Sequence, residues 1–233
     1  MKTKALVIFS GGQDSTTCLG WAKNRYDEIE AITFNYNQKH KCELIQAKKI
    51  CEKHKIKQTV IDISFLNTLV DSALTSNGNV NQPHERLKHL LASFVPNRNA
   101  LFITLSHAYA QKINASVLIT GTCETDFSGY PDCRLVFIKE IEKTLNLGSD
   151  VNIEILTPLM HINKAQTFKL AEEENILNDV INLSHTCYNG DHVTFNEWGY
   201  GCSHEENGKI IECPACNLRR LGWLQYLKEN KKV

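Results

Sequence analysis

Two stretches of this 233-residue chain carry side chains spaced for chemistry. The first, Ser10-Gly11-Gly12-Gln13-Asp14-Ser15, follows the apolar run Lys4 to Phe9 and opens a stretch of helical character. At a strand-to-helix junction, free backbone N–H groups and the helix dipole can receive an anion, and glycines let the backbone close on a phosphate. Ser10, Ser15, Thr16 and Thr17 add hydroxyl donors, while Asp14 is an anion that makes sense mainly with Mg²⁺ between it and the phosphate. The loop has no lysine for a Walker A sequence and no third glycine for a dinucleotide fingerprint. The plainer alternative is a turn in which Asp14 caps the helix.

The second stretch is Cys213-Pro214-Ala215-Cys216, directly before a helical C-terminus. A Cys-x-x-Cys turn aims two sulfurs at one point, as a tetrahedral metal requires, and Cys202 and Cys187 can complete a four-thiolate set. Such a closed shell fits structural zinc, which would contribute to folding the tail. A redox pair competes, as does a set in which His185, His192 or His204 replaces one cysteine. The other five, Cys18, Cys42, Cys51, Cys123 and Cys133, read as small buried apolar residues.

Three further segments look like site walls. Gly121 to Arg134 follows a strand end and is dense in polar groups: Glu124, Asp126, Tyr130, Asp132 and Arg134. Phe94-Val95-Pro96-Asn97-Arg98-Asn99 opens a helix and can present Arg98 to a carboxylate or phosphate. Phe34 to His40, including Tyr36, ends the second strand at a place suited to nucleoside contacts.

The elements that must position these groups alternate. Strands are predicted at Lys4–Phe9, Ile29–Phe34, Gln58–Ile63, Ser116–Thr120 and Ile153–Leu156. Helices are predicted at Ser15–Arg25, Lys41–His54, Asn99–Ile113, Arg134–Leu147 and from the N-cap Asn163 to Asn175. Repeated strand–helix pairs imply an α/β fold, a doubly wound and mostly parallel sheet over residues 1–182. Residues 183–233 then form a zinc-binding tail packed on the same domain. A loop, and in function a lid, is expected between Thr75 and Leu90. Leu218, Leu221, Leu224 and Leu227 are expected to form the stripe that docks the last helix.

Composition narrows the class. Lys plus Arg and Asp plus Glu number 26 each, so no bulk positive charge serves a nucleic-acid backbone. No run is long enough for a membrane span and nothing reads as an export signal, so a cytoplasmic enzyme is expected.

Ser-Gly-Gly-x-Asp-Ser after a first strand resembles the pyrophosphatase loop of the ATP-pyrophosphatase group, whose members attack the α-phosphate of ATP and release pyrophosphate. Adding Glu124-Thr-Asp-Phe-Ser-Gly-Tyr-Pro-Asp-Cys-Arg134, Thr186-Cys187-Tyr188-Asn189-Gly190 and Cys-Pro-Ala-Cys, the chain resembles the 7-cyano-7-deazaguanine synthase family of queuosine precursor biosynthesis from about Lys4 to its end. The resemblance implies an adenine nucleotide alpha hydrolase-like fold and ATP-dependent conversion of 7-carboxy-7-deazaguanine and ammonia to the nitrile through adenylated intermediates. It also implies a homodimer. Carried onto this chain, it implies ATP at Ser10, Gly11, Gly12, Gln13, Asp14, Ser15, Thr16, Phe34 and Tyr36. Asp14 and Ser15 would take catalytic roles, and Arg98, Asn99, Glu124, Asp126, Tyr130, Asp132 and Arg134 would meet the substrate. Two departures stand out: ten residues separate Cys202 from Cys213 where the family keeps its last cysteines close, and Asn97 stands where the family commonly has glycine. Rival readings are a tRNA-thiolating ATP-pyrophosphatase, which needs a reactive cysteine and a basic face, and a zinc module whose nucleotide fold binds without catalysis.

Overall fold

Alternation along Lys4–Ile8 (β1) turns Leu6 and Ile8 to one side and Ala5 and Val7 to the other, and all but the two end residues are buried. A strand buried on both faces needs helices on both faces, and the computed structural model, which describes residues 3–38, 40–69, 82, 88, 90, 92–125 and 130–230, supplies them. After β1 come α1 (Gln13–Lys23), β2 (Glu28–Asn35), α2 (Cys42–His54), β3 (Lys57–Asp62), α3 (Arg98–Lys112), β4 (Val117–Ile119), α4 (Leu135–Ser149), β5 (Glu154–Leu156), α5 (Lys164–Glu173) and α6 (Leu177–Asn182). The order across the sheet is β3-β2-β1-β4-β5, and every neighbouring pair is parallel. Leu6, Ile32, Leu118 and Ile155 share one face with Ile103 and Ala110 of α3 and Ile138 of α4. Ala5, Val7, Ala31 and Ile119 share the other with Leu19 of α1 and Ala47 and Ile50 of α2. The doubly wound parallel sheet expected from the strand–helix alternation is therefore present.

The chain leaves β1 toward β2 and later returns to β1's other edge as β4, so the loops after β1 and β4 diverge. The crevice between them, at the carboxyl ends of the strands, is where open α/β sheets hold ligands. Gly11, at φ +80°, lies so close to α2 that a Cβ there would stand 2.6 Å from the backbone nitrogen of Ala47. Asn97, at φ +58°, occupies the N-cap of α3 in the left-handed conformation, which asparagine tolerates better than most residues. Asn163 forms a full capping box with Gln166 at the start of α5, each side chain meeting the other's backbone N–H at 2.9 Å.

Beyond α6 the tail contains two hairpins, β6 (Phe195–Asn196) with β7 (Gly199–Tyr200) and β8 (His204–Glu206) with β9 (Lys209–Ile211), and the helix α7 (Pro214–Asn230). The ten residues between Cys202 and Cys213 are thus mostly a hairpin, closed by Asn207 and Gly208, both at positive φ as a tight two-residue turn requires. Ala215, Cys216, Arg219, Gly222, Trp223 and Tyr226 form the buried face of α7, where Phe168 of α5 meets Trp223 edge-on at 5.1 Å. The leucine stripe expected there is not the docking face: Leu221 and Leu224 are about half exposed, at 49% and 50%. A three-residue step advances a helix by about 300°, so four leucines at that spacing drift through about 180°. The steps among Ala215, Arg219, Gly222, Trp223 and Tyr226 hold one side. Most of the loop expected between Thr75 and Leu90 lies outside the described residues.

Gly11→Ala should cost about 2 kcal/mol or more, because its added Cβ meets rigid helix backbone at a positive φ. Gly148→Ala, in α4 with nothing within 4 Å of the new Cβ, should instead stabilise by about 1 kcal/mol. Urea unfolding midpoints of the two variants check both; equal midpoints would contradict the packing of the loop against α2.

Candidate active site and metal centre

A cavity of about 270 Å³ opens at the carboxyl ends of β1, β2 and β4. Ser10, Gly12, Gln13, Asp14 and Ser15 form its floor, Phe34 and Tyr36 one wall, and Arg98, Asn99 and Tyr130 another. Helix α1 begins directly after Gly12, two residues earlier than its sequence pattern indicates, so the first turn itself faces the cavity. Thr16 N–H returns to Gly12 O, whereas the N–H groups of Asp14 and Ser15 have no partner among the described residues. The Ser10 and Ser15 hydroxyls lie 3.1 Å apart, and Ser10 Oγ accepts the Gly12 N–H at 3.2 Å. Phe34 stacks on Phe102 with ring centres 4.5 Å apart, and both rings line the cavity.

Other expected site residues take different positions. Gly11 faces α2 and does not line the cavity. Thr16 is fully buried inside α1, and Thr17 donates its hydroxyl to Gln13 O. Glu124 accepts the Leu135 N–H at 3.0 Å and so caps α4, and its other oxygen lies 3.3 Å from His161 Nδ1. Buried Asp132 accepts the Asn99 N–H at 3.1 Å and caps α3 in the same way, while Asn99 Nδ2 donates to Cys133 Sγ. Arg134 is exposed at the N-cap of α4 and lies outside the cavity lining. Asp126 lies outside the described residues. Of the carboxylates expected to meet substrate, then, Glu124 and Asp132 each accept a backbone N–H at the start of a helix that bounds the cavity.

Two charged groups carry no local signal in the sequence, Glu43 in the cavity wall and Lys164 on the carboxylate of the cavity residue Asp14. Lys164, at the start of α5, places its Nζ 2.8 and 2.6 Å from the two carboxylate oxygens of Asp14. The cation absent from the loop thus arrives from a helix 150 residues later, and the Asp14 carboxylate faces an ammonium. Glu43, in the first turn of α2, lines the cavity and has no hydrogen-bond partner among the described residues. Enclosure by protein pushes its carboxyl up to about 7, with the charge of Arg98 pulling the other way.

The tail is a wall of this site. His185 N–H donates to Gly11 O at 2.9 Å, and Gln13 N–H donates to Thr186 Oγ1 at 3.3 Å. Thr186 is held in turn by Arg219, whose Nη1 donates to its hydroxyl at 3.0 Å. Arg219 is wholly buried and also donates to Trp198 O at 2.9 Å and Val180 O at 2.6 Å. Burial among neutral acceptors lowers its pKa to about 10, which leaves it charged at neutral pH.

Cys187, Cys202, Cys213 and Cys216 bring their sulfurs within 4.8 Å of one another. The pairs Cys202–Cys216 and Cys187–Cys213 are 3.9 and 4.0 Å apart, close to the roughly 3.8 Å edge of a tetrahedron with metal–sulfur bonds of about 2.3 Å. They are too far apart for disulfides. Cys213 N–H donates to Cys202 Sγ at 3.2 Å, and Tyr188 and Cys216 N–H both point at Cys213 Sγ, at 3.4 and 3.5 Å. Thiol hydrogen bonds from Cys187 and Cys216, with these N–H groups, pull the Cys213 pKa down. Donors aimed at sulfur favour thiolates, so the four residues fit a bound metal. The β8–β9 hairpin leaves and returns at this cluster, so the long spacing does not displace Cys202. Gly201 is needed here because a Cβ would stand 2.7 Å from Cys216 Sγ.

Residues 4–227 match a family described as queuosine biosynthesis protein QueC. A 7-cyano-7-deazaguanine synthase of Wolinella succinogenes is 54% identical over 224 residues, covering 95% of this chain and 93% of the relative. The enzyme of that name from Helicobacter pylori strain 26695 is 47% identical over 235 residues, covering 100% of both. One from Clostridium botulinum strain 657 is 46% identical over 231 residues, covering 99% of both.

Thr186→Val removes the oxygen shared by Gln13 and Arg219 while preserving shape. It should cost about 1–3 kcal/mol, because a buried guanidinium N–H is left unpaired. Thr186→Ser should recover most of that loss, and urea unfolding of the three proteins measures it. A valine variant as stable as the serine variant would remove this link between loop and tail.

Proposed function

The chain belongs to the QueC family of queuosine biosynthesis proteins, and from that membership we propose that it converts 7-carboxy-7-deazaguanine and ammonia to 7-cyano-7-deazaguanine at the expense of ATP. The observation that carries the reading within the molecule is the loop Ser10 to Ser15, opening α1 into a cavity lined by Arg98, with Lys164 paired to the loop's Asp14. In this reading the substrate carboxylate attacks the α-phosphate and pyrophosphate leaves. Ammonia displaces AMP to give the amide, and a second activation at the amide oxygen followed by elimination gives the nitrile.

The roles follow from placement. Asp14 and Ser15 N–H groups, with the Ser10 and Ser15 hydroxyls, bind phosphate oxygens at the positive end of α1. Lys164 moves from Asp14 onto the departing pyrophosphate, and Asp14 is then free to ligate the Mg²⁺ that accompanies ATP. Phe34 and Tyr36 take the adenosine side, while Arg98, Asn99 and Tyr130 face the heterocycle and its carboxylate. Positioning and charge neutralisation supply the rate enhancement, so no protein nucleophile is assigned. Cys187, Cys202, Cys213 and Cys216 hold structural zinc, whose chemistry is to cross-link the tail. The same reading places the enzyme in the cytoplasm as a ligase and a homodimer, with the half-exposed Leu221 and Leu224 offering apolar surface to a second copy. No helix among the described residues is long and apolar enough to cross a membrane.

Mass spectrometry of the base and nucleotide, after incubation with 7-carboxy-7-deazaguanine, ammonium, ATP and Mg²⁺, should show amide, then nitrile, with AMP. An unchanged base would end the substrate assignment. Lys164→Met should lower kcat/KM roughly 100-fold or more, as expected for a lost cation at a developing phosphate charge. Full activity in that variant would end the assignment of Lys164.

The zinc assignment is checked separately. The purified protein should carry one zinc per chain, and the cobalt-substituted protein should show thiolate-to-metal absorption that Cys202→Ser diminishes. Chelation should lower Tm, because metal bound to the folded tail is folding free energy. A metal-free protein with the same Tm would refute it.

A further inference from the structure

Sharing a wall with the main cavity is a second one of about 20 Å³, enough for one water-sized molecule. Its walls include Tyr36, Gln38, His40, Glu43, His185 and Tyr188, and all of these except His40 also line the main cavity. The two spaces therefore meet at Glu43. Two polar groups at the small cavity lack partners among the described residues: the Glu43 carboxylate, and the buried Nε2 of His40. Gln38, by contrast, is committed, since its Oε1 accepts the Tyr36 N–H at 3.1 Å. His40 is held against Gly190, where even a Cβ would stand 2.2 Å from its ring, so the small space has a fixed back wall.

A one-molecule cavity with an unpaired carboxylate, an unpaired imidazole nitrogen and two tyrosine rings has the attributes of a small cation site. Carboxylate and ring faces attract positive charge, and the imidazole accepts an N–H. The volume matches a single ion of ammonium size.

We propose that this cavity is the ammonium site of the reaction, with Glu43 holding the ion at the boundary with the main cavity. The inference rests on the function proposed above and supplies its nitrogen donor. The bound ammonium gives one proton to the Glu43 carboxylate. The freed lone pair forms the C–N bond to the activated carbonyl carbon as the C–O bond to AMP breaks, and the new amide nitrogen sheds its surplus proton to solvent. A carboxyl that enclosure has brought near neutrality is suited to both holding the cation and taking its proton.

The test varies ammonium concentration in the full reaction. Glu43→Gln should raise KM for ammonium roughly 10- to 100-fold, the range for losing a hydrogen bond to a charged group, while KM for ATP moves by less than about twofold. His40→Ala should enlarge the cavity, so that the native preference for ammonium over methylammonium falls about tenfold or more, read as N-methyl amide by mass spectrometry. The His40 variant decides alone if Glu43→Gln fails to fold. ATP–pyrophosphate exchange by the native enzyme, with the base and without ammonium, reports adenylation by itself. Absence of exchange would overturn the proposed function. Exchange accompanied by unchanged ammonium KM in Glu43→Gln, or by unchanged amine preference in His40→Ala, would overturn the ammonium site and leave adenylation standing.

Discussion

One buried guanidinium decides whether the phosphate loop has a wall behind it. Arg219 enters the tail from α7 and finds two backbone carbonyls and a hydroxyl, with no carboxylate in its hydrogen-bond set. An arginine so enclosed is costly unless its donors are used, so the carbonyls of Val180 and Trp198 must converge where they do. Thr186, the third acceptor, receives the Gln13 N–H as well, and the chain beside it donates to Gly11. Cys216 lies three residues before Arg219 on the same helix, so the thiolate cluster and the first turn of α1 share one rigid support. The tail thus forms a wall of the cavity at the carboxyl ends of the strands.

Charge inside that cavity is arranged against the evenness of the whole. Lys plus Arg balance Asp plus Glu, yet Lys164 faces Asp14, and Arg98 acts on Glu43 across the crevice. Fixed charges of alternating sign in a partly enclosed space create local fields that the net figure conceals.

The features legible in sequence were those decided locally. Strand and helix alternate with the right periods, so the sheet and its helices could be placed, and Asn163 announced its cap. Cys213-x-x-Cys216 announced a turn that converges two sulfurs. Features decided by distant contact were not legible. No pattern links Asp14 to Lys164 or selects Glu43 from the charges of α2. The short helix α6 has too few residues for periodicity to speak. Glu124 and Asp132 also hold helix starts, 11 and 33 residues away in the chain, a second task that their types alone do not announce. The leucines of α7 recur every three residues, and at that step they rotate around the helix instead of holding one face.

The β8–β9 hairpin leaves the cluster at Cys202 and re-enters it at Cys213, with the ends joined by a 3.2 Å hydrogen bond. Lengthening a loop whose ends are already pinned adds little closure entropy, because the cost grows only with the logarithm of length. Its strands are exposed and its turn has open space around it. The turn at Asn207 and Gly208 is therefore an insertion point, where a fluorophore, an affinity tag or a second folded module could be grafted without disturbing the chemistry beneath.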